Sequence, residues 1–142
     1  EAANGALLHD IGMSRVDSAI TAKNGPLTAS EWDRLKAHPN LGYQSLRELG
    51  QIGEVALDIV LHHHEKMDGT VYPDGMHGQE ISPYIRIVTI ADVFDALTTD
   101  RPHQPRKTTF DALTLMHQEM RHQLDMDLLS AFVEVMGVRV RF

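Results

Sequence analysis

Side chains that can bind a divalent metal occur at four places along the sequence. Imidazole and carboxylate are the nitrogen and oxygen ligands that suit iron, manganese or zinc better than calcium. The chain has nine histidines and no cysteine, which excludes thiolate ligands and a cysteine nucleophile. The sequence therefore predicts a metal site formed by six residues: His9, Asp10, His38, His62, His63 and Asp92.

Asp10 is the candidate bridge between two ions, because a carboxylate has two oxygens and an imidazole does not normally bridge. His62 and His63 are neighbours, and neighbours on a helix diverge by about 100°. They could bind two adjacent ions, or one of them could face elsewhere. Two metals about 3.5–4 Å apart suit phosphodiester hydrolysis, because they activate water near neutral pH and stabilise the leaving oxygen. No protein nucleophile is then required, and the sequence contains neither a nucleophile elbow nor a phosphate-binding glycine loop.

Each position also has an ordinary structural interpretation. His38 precedes Pro39 and is typical of a helix end, and His64 is predicted to be exposed. The remaining histidines are interpreted as surface residues by default: His77, His103, His117 and His122.

Helices are expected to position the predicted ligands. Thr28 and Glu31 form a capping-box pattern, and Ser82 with Pro83 is typical of a helix start. A periodic apolar pattern from Gln51 runs into the histidines, so these residues are predicted to end a helix. The other predicted helices cover about 2–8, 29–37, 39–49, 109–122 and 126–136.

Two further segments bear on the site. Residues 66–81 are rich in glycine and polar residues, and they are interpreted as a long ordered or functional loop. In the helix that begins at Pro83, the spacing predicts an apolar stripe that includes Ile87 and Ile90, with Val88 and Asp92 on another face.

The composition is typical of one compact soluble domain. The chain has 142 residues, of which 42% are hydrophobic and 23% charged. Its net charge of -7 argues against DNA binding, because a nucleic-acid surface needs clustered Lys and Arg. Bound metal ions could supply the positive charge that an anionic substrate needs. No apolar run approaches the about 20 residues of a membrane span, and the first residues lack the basic start of a signal peptide, so a cytoplasmic location is expected.

In one order over nearly the whole chain, the sequence resembles the HD-GYP family. The matching runs are Ala6-Leu7-Leu8-His9-Asp10-Ile11-Gly12, His38-Pro39 with Gly42, His62-His63-His64-Glu65, Asp68-Gly69 before Tyr72-Pro73, and Arg86-Ile87-Val88 through Ala91-Asp92-Val93-Phe94-Asp95-Ala96-Leu97-Thr98.

The resemblance implies an all-α fold, an HD-domain helical bundle of about six to seven helices. It also implies hydrolysis of cyclic di-GMP to pGpG or GMP by the output domain of a bacterial signalling protein. The six predicted ligands take the family's metal positions, for two or three ions of iron or manganese, with His9 and Asp10 at the catalytic pair. Substrate contacts are expected from Asp68, Gly69, Tyr72, Pro73 and Arg101.

Four departures from the family pattern stand out. Position 13 is Met where the family usually has Lys, which removes a cation. Val71 replaces a glycine, and a β-branched residue would strain a backbone with positive φ. The segment after Pro102 has His103 and Gln104 where the family has Tyr and Arg, and Arg106 and Lys107 are the nearby cations that could replace the missing one. No histidine precedes His9, so residues 1–142 are interpreted as a single HD-GYP-like domain that lacks its first helix or helices.

Two alternatives remain open at this point. The first is a degenerate, non-catalytic module that binds nucleotide or a partner such as a diguanylate cyclase domain; Met13 and Val71 motivate it. The second is an HD phosphohydrolase for another nucleotide. A homodimer is a further possible partner arrangement.

Overall fold

The computed structural model describes residues 1–100 and 105–137. Within these ranges the chain forms eight α-helices and no β-strand, which confirms the predicted all-α class. One of the eight, α2, is a single turn, so seven longer helices remain. The helices are α1 (Ala2–Leu8), α2 (Ser18–Thr21), α3 (Ala29–Leu35), α4 (His38–Leu49), α5 (Glu54–His62), α6 (Pro83–Thr98), α7 (Thr109–Glu119) and α8 (Met126–Val135).

Most helix starts agree with the sequence signals. Thr28 and Glu31 form the predicted capping box, and the Ser82 side chain accepts a hydrogen bond from the Ile85 amide. The predicted helix ends were one to three residues too long for α3, α7 and α8. Residues 11–26 hold more helix than the sequence indicated, because a 3₁₀ helix (Ile11–Arg15) and α2 lie within them.

In the described part of the chain, the core consists of three apolar clusters arranged along α5 and α6. One joins α4 to α5 around Leu46 and Val60, and a second joins α5 to α6 around Ile59 and Ile85. The third joins α6 to α7 and α8 around Leu113. Helices α5 and α6 are therefore the central elements, and α5 ends at the histidine run.

One detail of α6 differs from the predicted stripe. Ile87 is 49% exposed, whereas Val88 is buried at 7%. The inward face of the helix therefore includes Val88, and Asp92 follows Val88 by one helical turn. This rotation places Asp92, only 20% exposed, toward the interior instead of the solvent. Within the described residues, no helix combines the length and apolarity needed to cross a bilayer.

Candidate metal centre

Four helices bring the predicted ligands together. His9 and Asp10 directly follow α1, His38 is the first residue of α4, His63 directly follows α5, and Asp92 lies within α6. The hydroxyl of Thr89 donates to the carbonyl of His63 at 2.8 Å, which ties α6 to the end of α5.

Two glycines allow the close packing that this convergence requires. A Cβ at Gly12 would lie 1.9 Å from the carbonyl oxygen of His38, so only glycine lets the 3₁₀ helix approach the start of α4. A Cβ at Gly5 would lie 2.8–3.0 Å from atoms of Ile59 and Ala56, so α1 packs directly on α5. These contacts bring the segment carrying Asp10 to His38 and His63.

Four side chains form the tightest group: Asp10, His38, His63 and His64, whose potential ligand atoms all lie within 4.8 Å of one another. Nε2 of His38 lies 3.2 Å from Asp10 Oδ1, 3.3 Å from His63 Nε2 and 3.2 Å from His64 Nε2. Ligand atoms about 2.1 Å from one ion lie about 3.0–3.4 Å apart in octahedral or tetrahedral arrangements. These spacings fit one metal ion.

The hydrogen bonds of three rings set which nitrogen faces the group. Nδ1 of His9, His38 and His63 each donates to a backbone carbonyl three residues earlier, at 2.7, 2.8 and 3.0 Å. A carbonyl can only accept, so each Nδ1 carries the proton and each Nε2 is directed to the site. Metal-binding histidines are oriented by this kind of second hydrogen bond.

A second group adjoins the first through Asp10. Its Oδ1 faces His38 and His63, at 3.2 and 3.7 Å from their Nε2 atoms, while its Oδ2 lies 3.5 Å from Nε2 of His9. Nε2 of His9 lies 3.8 Å from Asp92 Oδ1, and Nδ1 of His64 lies 4.0 Å from Asp92 Oδ2. Asp10 thus offers one oxygen to each group, which is the arrangement of a bridging carboxylate.

The titration of these residues favours acceptors over donors. The contact with the His38 ring, whose Nε2 lies 3.2 Å from Oδ1, lowers the pKa of Asp10 to about 2, although burial acts in the other direction. Burial lowers the pKa of His63 to about 4 and that of His64 to about 3. At neutral pH the ionised Asp10 therefore lies beside the neutral rings of His63 and His64. One proton satisfies one such contact, whereas a divalent cation accepts a lone pair from every ligand, so these residues fit a metal.

The structure brings five of the six predicted ligands together and leaves His62 apart from them. Both ring nitrogens of His62 face carboxylates outside the cluster: Nδ1 lies 2.8 Å from Asp58 Oδ1 and Nε2 lies 3.0 Å from Asp74 Oδ2. The prediction that His64 is exposed was wrong, since its side chain is 25% exposed and its ring lies in the cluster. The pair of histidines in the group is 63 and 64, not 62 and 63.

A signal for this assignment was present in the sequence. Asp58 and His62 are four residues apart, and residues at this spacing are neighbours on a helix surface. His62 thus has a carboxylate partner on its own helix, and α5 ends at His62, directly before the two histidines of the group.

The loop after the histidines approaches the centre at Tyr72. The ring of Tyr72 lies 5.0 Å from that of His64, centroid to centroid. Burial, together with the negative charges of Asp10 and Asp92, raises the pKa of Tyr72 to about 12. The phenol therefore keeps its proton at neutral pH and can donate a hydrogen bond.

Two other predicted substrate contacts shape the loop itself. Asp68 accepts hydrogen bonds from the amide and hydroxyl of Thr70 at 3.1 and 2.7 Å. Gly69 has φ +67°, and a Cβ there would lie 2.2 Å from the ring of His77. The peptide bond between Tyr72 and Pro73 is cis. Arg101, His103 and Gln104 lie outside the described residues.

The strain expected at Val71 is absent. Among the described residues, only glycines have positive φ, and those in the loop are Gly69, Gly75 and Gly78. The chain turns at these glycines, so Val71 needs no left-handed conformation.

Sequence reasoning did not identify Lys66 as a cation near the centre. Burial lowers the pKa of Lys66 to about 8, while the negative charges of Asp92 and Asp68 act in the opposite direction. Lys66 is thus mostly protonated at pH 7 and contributes positive charge that Met13 cannot.

Comparison with known proteins identifies the family. The chain belongs to the HD domain family, whose model matches residues 1–128. It is 37% identical over 138 residues to a cyclic di-GMP phosphodiesterase of Pseudomonas aeruginosa, covering 97% of this chain and 33% of that protein. It is 38% identical over 133 residues to a 3'3'-cGAMP-specific phosphodiesterase of Vibrio cholerae, covering 94% of this chain and 29% of that protein.

A third relative is the cyclic di-GMP phosphodiesterase response regulator RpfG of Xanthomonas campestris, at 38% identity over 121 residues, which covers 84% of this chain and 32% of that protein. The chain thus spans about a third of the length of these relatives. Among solved structures, it is similar to an HDG"Y"P protein from Bdellovibrio bacteriovorus, with a TM-score of 0.74, 19% identity, and coverage of 94% of this chain and 42% of that chain. This likeness supports the HD-GYP resemblance at the level of the fold.

Proposed function

We propose that this domain is a metal-dependent phosphodiesterase that hydrolyses cyclic di-GMP to pGpG or GMP, as the output domain of a signalling protein. The observation that carries the proposal is the convergence of Asp10 with His38, His63 and His64, with Asp10 turned toward both groups of ligand atoms. Relatives at 37% and 38% identity named as cyclic di-GMP phosphodiesterases support the substrate.

Asp10, His38, His63 and His64 would hold one ion, and His9, Asp92 and the second oxygen of Asp10 would hold another. Bound there, iron or manganese supplies the Lewis acidity and the neutral-pH nucleophile that phosphodiester hydrolysis needs. The backbone carbonyls behind His9, His38 and His63 keep their Nε2 atoms aimed at the ions. His62 stays a predicted ligand only through the resemblance to the family motif, because its ring nitrogens face Asp58 and Asp74 instead.

The surrounding side chains would bind and orient the substrate. A cyclic dinucleotide carries two phosphates, and Lys66 supplies positive charge near Asp92. The protonated phenol of Tyr72 can donate a hydrogen bond to a phosphate or base beside His64. The substrate roles of Asp68, Gly69, Pro73 and Arg101 stay predictions, as do a diguanylate cyclase partner, a homodimer and the cytoplasmic location.

A second substrate has specific support. A relative at 38% identity is named as specific for 3'3'-cGAMP, which differs from cyclic di-GMP in one base. Both substrates present the same phosphodiester bonds to the metal centre, so residues that contact the bases would decide between them. Met13 motivates the alternative of a non-catalytic module, and the same experiment tests it.

The test is hydrolysis by the protein loaded with iron or with manganese, measured by chromatographic separation of linear products. We expect turnover of cyclic di-GMP that a chelator abolishes and the metal restores. Faster turnover of 3'3'-cGAMP would assign the second substrate. Binding of either nucleotide without turnover, in a sample with a full complement of metal, would contradict the enzyme and favour the non-catalytic module.

A further inference from the structure

The residues around the histidine pair make a separate set of contacts. The segment 74–76 follows Tyr72 and Pro73 in the loop, and it lies against the end of α5. Its hydrogen bonds to α5 and the turn after it, among the described residues, come from the side chains of His62 and Glu65. Met76 also packs against the apolar cluster around Ile59.

Glu65 is buried, with 1% exposure, and it faces three backbone N–H groups of the loop. Its Oε1 accepts from the amides of Asp74 and Gly75 at 2.7 and 3.0 Å, and its Oε2 accepts from the amide of Met76 at 3.1 Å. Hydrogen bonds to an ionised acceptor are about twice as strong as neutral ones. One carboxylate therefore holds three consecutive loop residues.

His62 holds the same segment from a second point. Its Nε2 lies 3.0 Å from Oδ2 of Asp74, and its Nδ1 lies 2.8 Å from Oδ1 of Asp58, one turn earlier on α5. Both ring nitrogens of His62 are therefore engaged by carboxylates that lie outside the group of Asp10, His38, His63 and His64.

The anchored segment lies next to the only loop ring that contacts the metal centre among the described residues. Tyr72 stands two residues before Asp74, and Pro73 between them has a fixed φ. The Tyr72 ring lies 5.0 Å from that of His64. A loop held at 74–76 therefore has little freedom in where it presents the Tyr72 phenol.

We infer that the four consecutive residues 62–65 have two functions: His63 and His64 face the metal centre, while His62 and Glu65 are positioning residues that fix the loop and so place Tyr72 beside it. Neither His62 nor Glu65 binds metal in this arrangement. The effect on catalysis rests on the proposed phosphodiesterase function, whereas the effects on metal content and loop order do not.

The first experiment separates metal binding from loop anchoring. His62→Phe keeps the ring and removes both hydrogen bonds, and Glu65→Gln keeps the side-chain size while removing the charge. Metal content per chain should equal that of the wild type in both variants, and it should fall in His63→Gln. Amide hydrogen exchange at 74–76 should become at least tenfold faster in Glu65→Gln and His62→Phe. Glu54→Gln, which removes an exposed carboxylate from the same helix, is the control and should leave exchange unchanged.

The second experiment asks whether the anchors act through Tyr72. Tyr72→Ala and Glu65→Gln should each lower kcat/KM about tenfold, and the double variant should match Tyr72→Ala within about threefold, because a misplaced side chain cannot matter once it is absent. A purely structural role of Glu65 would instead multiply the two losses to about a hundredfold. His62→Phe, paired with Tyr72→Ala, provides the same cycle if Glu65→Gln does not fold.

Three results would overturn the inference. Loss of metal in His62→Phe would make His62 a ligand, unchanged exchange at 74–76 would show that the contacts do not hold the loop, and multiplied losses would exclude action through Tyr72. A wild-type protein that hydrolyses no cyclic dinucleotide would refute the proposed function, while the metal and exchange measurements would still decide the roles of His62 and Glu65.

Discussion

Two groups of polar side chains contact the interior near α6, and they differ in how their hydrogen-bond donors and acceptors are matched. At Arg86, donors and acceptors are matched: its guanidinium donates to Asp125 at 3.0 Å, to the carbonyl of Ile81 at 2.7 Å and to Gln79 at 3.0 Å. At Asp10, the ionised carboxylate and the neutral rings of His63 and His64 converge as acceptors. A matched group stabilises the fold by itself, whereas a group of acceptors needs a cation, so only the second is expected to bind a ligand.

The largest effect is expected from Asp10, because it contacts both groups of ligand atoms. Asp10→Asn should lower hydrolysis by about three orders of magnitude, about 4 kcal/mol of transition-state stabilisation. Metal content, measured by elemental analysis, should fall with it.

The stability gained from metal should also depend on Asp10. In the wild type, metal at a hundred times its dissociation constant should add about 2.7 kcal/mol to the free energy of unfolding. Asp10→Asn should show little of this gain. Without metal at pH 7 it should be less stable than the wild type, because the lowered pKa of Asp10 means that the ionised carboxylate favours the folded state. Thermal melts with and without chelator check both points. An Asp10→Asn protein that keeps the full gain from metal would show that Asp10 does not hold the ion.

Arg86 should show the reverse pattern. Arg86→Met leaves Asp125, 15% exposed, without its cation, and breaking a buried pair costs about 3–5 kcal/mol. Metal content of the folded fraction should stay unchanged. Urea unfolding measures the loss, and Arg121→Met, at an exposed arginine, is the control with an expected change within about 0.5 kcal/mol. Loss of metal in folded Arg86→Met would remove the distinction between the two groups.

The smallest expected effect is a change of the free energy of unfolding with pH. Burial would raise the pKa of Asp125, but hydrogen bonds from Leu128 and Arg86 outweigh it and lower the pKa below 3.8. A lowered pKa in the folded state stabilises the protein above pH 3.8, and this contribution is lost as the pH falls below that value.

Asp125→Asn tests this contribution, because asparagine also caps a helix well and the substitution removes mainly the charge. The wild type should be more stable than the variant above pH 5, and the two unfolding free energies should converge as the pH falls below 3.8. A gap that stays constant through this range would assign the stabilisation to shape and not to charge.

Local signals predicted much of the fold and part of the site. The capping box at Thr28, the start of α6 at Ser82 and the helix ending at the histidines depend on neighbouring residues, and the structure confirms them. The exposure of Ile87 was not predictable from period alone, because the apolar pattern of α6 fits two rotations that differ by one residue. Packing against α5, α7 and α8 decides between them.

The sequence by itself determined which chemistry is available: imidazole and carboxylate ligands without thiolate, placed at helix ends, with Asp10 as the one bridging candidate. Only the tertiary structure decided that His63 and His64 face Asp10 while His62 and Glu65 hold the loop. The reason is physical. Consecutive side chains differ in direction by about 100° on a helix, and their partners, Asp10, His38 and residues 74–76, are fixed by contacts between helices that lie far apart in the chain.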